Sequence, residues 1–231
     1  MPSVTKIIHF FLSALLTAIS VGLLGFAMSD DWSRTTMDCR GFITNNGSAE
    51  ITLGLFNGFL ERQTCPSFGN YKDFSVFTEL SVIKGASLAL HALCVALLVL
   101  CLLFSALSIL ISLYNSVSNP YQTYMGPIGV YTCSSISACL SLLVIILFVL
   151  NINVTDMQEQ LVPQIGSIDT DNLELSNKKS TMLVGYFMLI PYTVLSVGAI
   201  LAIYLYDHAA YMHRREQEKP TEDAPKEIMM Y

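Results

Sequence analysis

The chain has 231 residues, of which 53% are hydrophobic and 13% are charged, against about 25% charged in a typical soluble domain. Its net charge of −6 is spread thinly and no basic patch occurs, which argues against a nucleic-acid-binding protein. Four apolar runs, at about 7–28, 85–113, 128–150 and 182–206, are each long enough to cross a hydrocarbon core about 30 Å thick as a helix. We therefore predict an all-α membrane protein with one tetraspan domain over residues 1–231.

The first run follows a short basic start that contains Lys6. Such a start also suits a secretory signal peptide, and Ala27-Met28-Ser29 would serve as its cleavage site. The apolar stretch is longer than the roughly 7–15 residues of a signal peptide. We therefore predict a membrane helix here and keep cleavage as the alternative.

The loop at 29–84 is large enough to fold. Trp32 comes directly after the first helix and suits the membrane interface. Polar and apolar residues alternate at 50–53 and 74–78, which predicts short paired strands. Just before the second helix the loop also contains four aromatic residues, Phe68, Tyr71, Phe74 and Phe77. We interpret them as a small loop core or an interfacial anchor, with a partner-binding patch as the alternative.

Two N-glycosylation sequons set the predicted orientation. Asn46 lies in the first loop and Asn153 follows the third helix, so a four-span topology places both on one side. Sequons accept glycans in the secretory lumen. We therefore expect loops 29–84 and 151–181 to be extracellular, the turn at 114–127 and the tail at 207–231 to be cytosolic, and the protein to reach the plasma membrane through the secretory pathway.

The six cysteines divide by predicted compartment. Cys39 and Cys65 are the two in extracellular loops, so a disulfide between them is the one outer pairing available, with two free thiols as the alternative. Cys133 lies near the predicted cytosolic end of the third helix. We interpret it as a packing residue, with palmitoylation as the alternative. The remaining three should pack as small hydrophobic side chains: Cys94, Cys101 and Cys139.

Small residues recur at helical spacing in all four runs, which favours one compact bundle over four separate anchors. In the first helix the line is Ala14, Ala18 and Gly22, and in the second it is Ser105, Ser108 and Ser112. The third and fourth helices carry Ser134 with Ala138, Ser137 with Ser141, and Gly198 with Ala202.

Two residues inside the spans call for separate interpretation. Pro191 removes a backbone hydrogen bond and should kink the fourth helix towards its outer half. His91 is the one clearly ionisable side chain within a span, near the outer end of the second helix. We interpret it as a hydrogen-bonded helix residue, with a proton relay as the alternative.

The sequence lacks the motifs of the common enzymes and repeat-built transporters, and its four histidines form no cluster. We therefore predict a non-enzymatic protein without cofactor, metal site or catalytic residues, surrounded by membrane lipids and organising membrane or scaffold partners or cell contacts. A channel or transporter subunit is the alternative, and an intramembrane enzyme is the second.

The tail turns polar after residue 206 and should begin as a helical extension that loses order near Pro220. It ends in Met229-Met230-Tyr231, so that Met229 and Tyr231 match a peptide that PDZ domains bind by strand addition. The alternative is a disordered end without a partner.

Several segments together resemble the clarin family, and the cytosolic turn and tail are most similar to its third paralogue. The shared features are the start Met1-Pro2-Ser3, Trp32, Cys39, the segment 53–58, Arg62 to Cys65, the turn at 118–129 and the tail at 219–225. The resemblance implies a four-span membrane glycoprotein, distantly claudin-like, with a left-handed four-helix bundle and a small extracellular sheet in the first loop.

Overall fold

The computed structural model describes residues 4–41, 47–63, 71–118, 126–166 and 173–217. Four helices are long and apolar enough to cross a membrane: α1 (Val4–Ser29), α3 (Ala86–Val117), α4 (Pro127–Asn153) and a fourth span over Val184–Met212. The fourth span consists of α6 (Val184–Phe187) and α7 (Leu189–Gln217). Helix α1 packs on α3 and α7, and α4 packs on the same two helices, so the four spans form one bundle.

The helices of all four spans end beyond the carboxyl ends that hydropathy predicts. Helix α3 continues to Val117, through residues predicted to belong to the cytosolic turn, and α7 continues to Gln217 into the predicted tail. Asn115, in this extension, donates to the Ile111 carbonyl over 2.7 Å. A helix needs apolar residues only within the hydrocarbon core, so hydropathy marks the span and not the helix end.

Pro191 coincides with an interruption of the fourth span, as its ring predicts. The helix breaks at Met188, between α6 and α7, and Pro191 then occupies the first turn of α7. A proline there is tolerated because first-turn N–H groups have no partner within the helix. The interruption therefore lies about one turn before Pro191.

The two loops at one end of the bundle, which join the first span to the second and the third to the fourth, form a five-stranded antiparallel sheet in the order β4-β3-β2-β1-β5. The first loop supplies β1 (Asp31–Gly41), β2 (Gly47–Gly54), β3 (Asn57–Gln63) and β4 (Tyr71–Ser75). The second loop supplies β5 (Leu173–Met182), which pairs with β1, so the sheet is not confined to the first loop.

Two short helices complete the outer part. Helix α2 (Val76–Ile83) follows β4 directly, and α5 (Met157–Gly166) follows α4. The predicted strand at 74–78 is therefore only half correct, because the chain turns helical at Val76. Val76 and Leu80, one helical turn apart, are both buried, which explains why this stretch prefers a helix to a longer strand.

Candidate functional site: the outer unit and its attachment to the bundle

The five strands with α2 and α5 are called the outer unit below. Alternate residues of β1 and β2 point inward, and in this layer Met37, Ala49, Ile51 and Leu53 are at most 1% exposed. From α5, Leu161, Val162 and Ile165 join the same hydrophobic cluster. The inner face of the sheet is thus covered, and its outward face is left open to solvent.

A polar contact fixes α5 against the sheet. Gln158 is fully buried on α5, and its Nε2 donates to Ser33 Oγ over 2.8 Å. Its Oε1 accepts a hydrogen bond from Thr35 Oγ1, and Ser180 Oγ on β5 also bonds to Thr35, over 2.8 Å. One buried amide therefore joins helix and strands from both outer loops.

Trp32 connects the sheet to the bundle. It is fully buried, its indole Nε1 donates to the Ala27 carbonyl over 2.6 Å, and its ring meets Phe148 edge-on with centroids 4.8 Å apart. A Cβ on Gly185 would lie 2.7 Å from Trp32 Cδ1, so α6 approaches the indole closely because residue 185 is glycine. The ring is enclosed by protein, and its interfacial depth in the membrane stays a prediction.

His91 makes a second connection, to the turn between β2 and β3. Its Nε2 lies 2.8 Å from the Leu55 carbonyl oxygen, and its ring meets Phe77 of α2 edge-on at 5.2 Å. A carbonyl can only accept, so Nε2 carries the proton, and Nδ1 has no hydrogen-bond partner among the described residues. The full burial of His91 and its bond to Leu55 agree with the interpretation as a hydrogen-bonded helix residue.

Two lysines of the outer unit bind the carboxyl ends of helices. Lys178 on β5 lies 3.3 Å from the Ile152 carbonyl at the end of α4 and also forms an ion pair with Asp156. Lys72 on β4 donates to the Ile165 carbonyl at the end of α5 over 2.9 Å. Cations are favourable at helix carboxyl ends, where carbonyl groups lack partners within the helix.

Inside the bundle, hydroxyl groups bond across helices. Tyr192 Oη of α7 lies 2.9 Å from Ser105 Oγ of α3 and 3.1 Å from Ser137 Oγ of α4. Ser108 and Ser134 pair at 2.9 Å. The serine faces predicted in the second and third spans are therefore packed as expected.

The predicted small-residue line of α1 is wrong. Ala14 is buried, but Ala18 and Gly22 are exposed at the surface of the bundle, and a Cβ on Gly22 would meet nothing within 4 Å. Ser13 and Thr17 face the neighbouring helices instead, with Ser13 Oγ donating to the Ala199 carbonyl of α7 over 3.3 Å.

The structure describes only part of the predicted modification sites. Cys39 lies on β1, opposite Gly47 of β2, while its proposed partner Cys65 lies outside the described residues, as do Asn46, Met229 and Tyr231. Cys133 is half-buried on α4. The disulfide, the glycan at Asn46, the palmitoylation and the PDZ ligand remain predictions.

Asn153 lies in the last helical turn of α4. Its side-chain amide donates to the Val149 carbonyl over 3.1 Å, within its own helix. The sequon hydroxyl of Thr155 is bonded in turn to the Asn151 side chain at 2.9 Å. Both sequon side chains thus have structural hydrogen bonds at the end of the span.

The outward face of β3 and β4 carries exposed aromatic and acidic side chains. Tyr71 is 69% exposed, stacks on Phe59 with centroids 5.7 Å apart, and donates through its hydroxyl to Glu61 over 3.1 Å. The hydrogen bond to Glu61 and the negative charge of that carboxylate raise the pKa of Tyr71. In the sequence Tyr71 belongs to an aromatic set with Phe68, Phe74 and Phe77, but its stacking partner is Phe59, which only the strand register could reveal.

Comparison with known proteins agrees with this architecture. The model of the Clarin-2-like family matches residues 5–165. Clarin-3 of Homo sapiens is 31% identical over 236 residues, Clarin-3 of Mus musculus 31% over 240 residues and Clarin-3 of Rattus norvegicus 32% over 237 residues, each comparison covering 100% of both chains. Together with the four spans, these matches show that the chain is a multi-pass membrane protein of the clarin family.

Proposed function

We propose that this clarin is a non-enzymatic membrane organiser that holds partner proteins or cell contacts at the plasma membrane, with its outer unit outside the cell and both termini in the cytosol. The observation that carries the proposal is the outer unit itself. Both outer loops contribute to one folded body, and Gln158, Trp32 and His91 fix it by buried hydrogen bonds. A rigid body of this kind suits recognition, because little conformational entropy is lost when a partner binds.

The interior of the bundle supports this function over a channel or transporter. Tyr192, Ser105 and Ser137 are buried and bonded to one another at the centre of the bundle, so their polar groups are already satisfied by protein. A conducting path would require such groups to face water or an ion.

A flux measurement separates the two functions. Purified protein in lipid vesicles should show no selective ion or solute flux above empty vesicles. Tyr192→Phe removes one hydroxyl from the cluster and keeps the ring, which makes it the sharpest variant. Selective flux that Tyr192→Phe abolishes, in protein that still melts like wild type, would overturn the organiser in favour of a channel.

Proximity labelling tests the partners and the orientation together. A labelling enzyme at the carboxyl end should reach cytosolic proteins, and a membrane-impermeant label should reach only the outer unit. An epitope at the carboxyl end that stains intact, unpermeabilised cells would refute the proposed topology. Capture of PDZ domains by the tail should depend on the free carboxylate of Tyr231, so adding one glycine after Tyr231 should abolish it.

A further inference from the structure

Outward side chains of three neighbouring strands form a compact surface, called the aromatic–acidic face below: Glu50 of β2, Phe59 and Glu61 of β3, and Tyr71 and Asp73 of β4. Strand register places Tyr71 opposite Glu61, Glu61 opposite Glu50, and Phe59 opposite Asp73. Directly opposed residues of an antiparallel pair have Cβ atoms about 4.5–5.5 Å apart and project from the same side. Glu61 and Asp73 therefore flank the stacked rings of Phe59 and Tyr71, and Glu50 lies beside Glu61 on the next strand.

The negative charge of this face is only partly balanced. Arg34 of β1 forms an ion pair with Glu50 at 3.1 Å, but within the described ranges no basic side chain lies at ion-pair distance from Glu61 or Asp73. Glu50 and Glu61 oppose each other directly, and like charges in that position are unfavourable. A cation arriving from outside would relieve this repulsion.

Tyr71 is exposed, Phe59 is half-buried, and both rings are held in position. Tyr71 is 69% exposed, and the Phe59 stack with the hydrogen bond to Glu61 fixes its plane. A guanidinium group stacks on aromatic faces and pairs with carboxylates in the same plane, which an ammonium does less well. Aromatic rings beside unneutralised carboxylates are complementary to arginine.

We propose that the aromatic–acidic face binds an arginine-bearing segment of a protein partner, with the guanidinium over the Tyr71–Phe59 stack and within reach of Glu61 and Asp73. This inference rests on the proposed function and names the chemistry of one partner. A membrane surface is the less suitable occupant, because carboxylates repel anionic headgroups.

The test uses the full chain in nanodiscs of phosphatidylcholine and three labelled peptides with the same Gly/Ser background. One carries two arginines, one two lysines and one two citrullines, which keep the shape of arginine without its charge. Fluorescence anisotropy should show binding in the order arginine, lysine, citrulline, with affinity falling as salt is added.

Matched variants locate the site. Glu61→Gln removes a charge and keeps an acceptor for Tyr71, whereas Glu159→Gln removes the same charge from α5, on the covered side of the sheet. Tyr71→Ala should weaken arginine binding about two- to fivefold, as loss of an exposed cation–π contact predicts. Tyr114→Ala, at the far end of α3, should not. Thermal melting confirms that each variant is folded, and Tyr71→Leu replaces the alanine variant if that one melts early.

Three results would overturn the inference. The arginine peptide could bind the Glu61→Gln and Glu159→Gln variants equally well, or the citrulline peptide could bind wild type as tightly as the arginine peptide does. The arginine peptide could also bind nanodiscs without protein as tightly as nanodiscs that contain it. If the face fails in this way while an impermeant proximity label still finds partners at the outer unit, only this inference falls. If labelling also finds no partner, the proposed function falls with it.

Discussion

Replacing His91 with alanine tests how the outer unit is held to the bundle. His91 and Leu55 are 0% and 1% exposed, and Nε2 lies 2.8 Å from the Leu55 carbonyl. The substitution leaves this buried acceptor without its donor, which costs about 1–3 kcal/mol. It also removes the ring that packs on Phe77, and truncation of a large buried side chain costs about 2–5 kcal/mol. Because the same ring supplies both effects, we expect a combined loss of roughly 3 kcal/mol rather than their sum.

The assay exploits the single tryptophan of the chain. Trp32 is fully buried in the hydrophobic cluster that also contains Leu55, so its emission reports the attachment of the outer unit. In thermal melts of nanodisc-embedded protein, His91→Ala should lower Tm by about 6–12 °C, at 2–4 °C per kcal/mol for a chain of this size. His91→Gln retains a side-chain N–H donor, so its Tm should lie between those of wild type and His91→Ala.

His208 provides the matched control, because it is an exposed histidine on α7. His208→Ala should leave Tm within about 1 °C of wild type, as surface substitutions usually change stability little. The reasoning is refuted if His91→Ala melts like wild type, or if both histidine variants lose the same stability.

Three further predictions concern residues between the first and second spans. Gly58→Ala would place a Cβ 2.4 Å from Phe74 Cζ, so it should destabilise the protein by about 1–3 kcal/mol in the same melt. The hydrogen bond from Tyr71 to Glu61 raises the pKa of Tyr71, so its contribution to folding stability is present below the ordinary tyrosine pKa of about 10. That contribution is lost as pH rises through the folded-state pKa. Glu61→Ala should therefore shift the phenolate absorbance of Tyr71, read as the difference from Tyr71→Phe, to lower pH. Asn46→Gln should remove most of the mass that an N-glycosidase releases, and an unchanged release would place the glycan elsewhere.

The four spans and strand β2 could be predicted because both depend on patterns along the chain. Span length follows from the apolar runs, and the alternation at 50–53 marks β2. Strand β5 has no such signal, since Leu173–Met182 contains few apolar residues. One of its inward positions holds Ser180, whose partner Thr35 is 145 residues away in sequence. A polar strand that is satisfied by distant hydroxyls cannot be distinguished from a loop before the tertiary contacts are known.

The error in α1 has a different cause. Ala14, Ala18 and Gly22 repeat every four residues, but Ser13 and Thr17 have the same spacing one position earlier. In a membrane helix both faces are apolar, so spacing alone does not select the packed one. Thr17 bonds to the Ser13 carbonyl at 2.9 Å and Ser13 bonds to α7, so hydroxyl groups rather than the smallest side chains occupy the interface.

The β1–β5 ladder ties together helices that are distant in sequence. Strand β1 continues from α1, and β5 leads into α6, so their pairing joins the outer ends of the first and fourth spans. Lys178 then bonds the sheet to the end of α4, and His91 bonds the β2–β3 turn to α3. Each of the four spans is thereby attached to one outer body. Alternating access requires spans to move against one another around a central site, and here that movement would break buried hydrogen bonds at the outer ends. The proposed organiser needs no such movement, and the same attachments would keep the aromatic–acidic face in a fixed orientation towards the proposed partner.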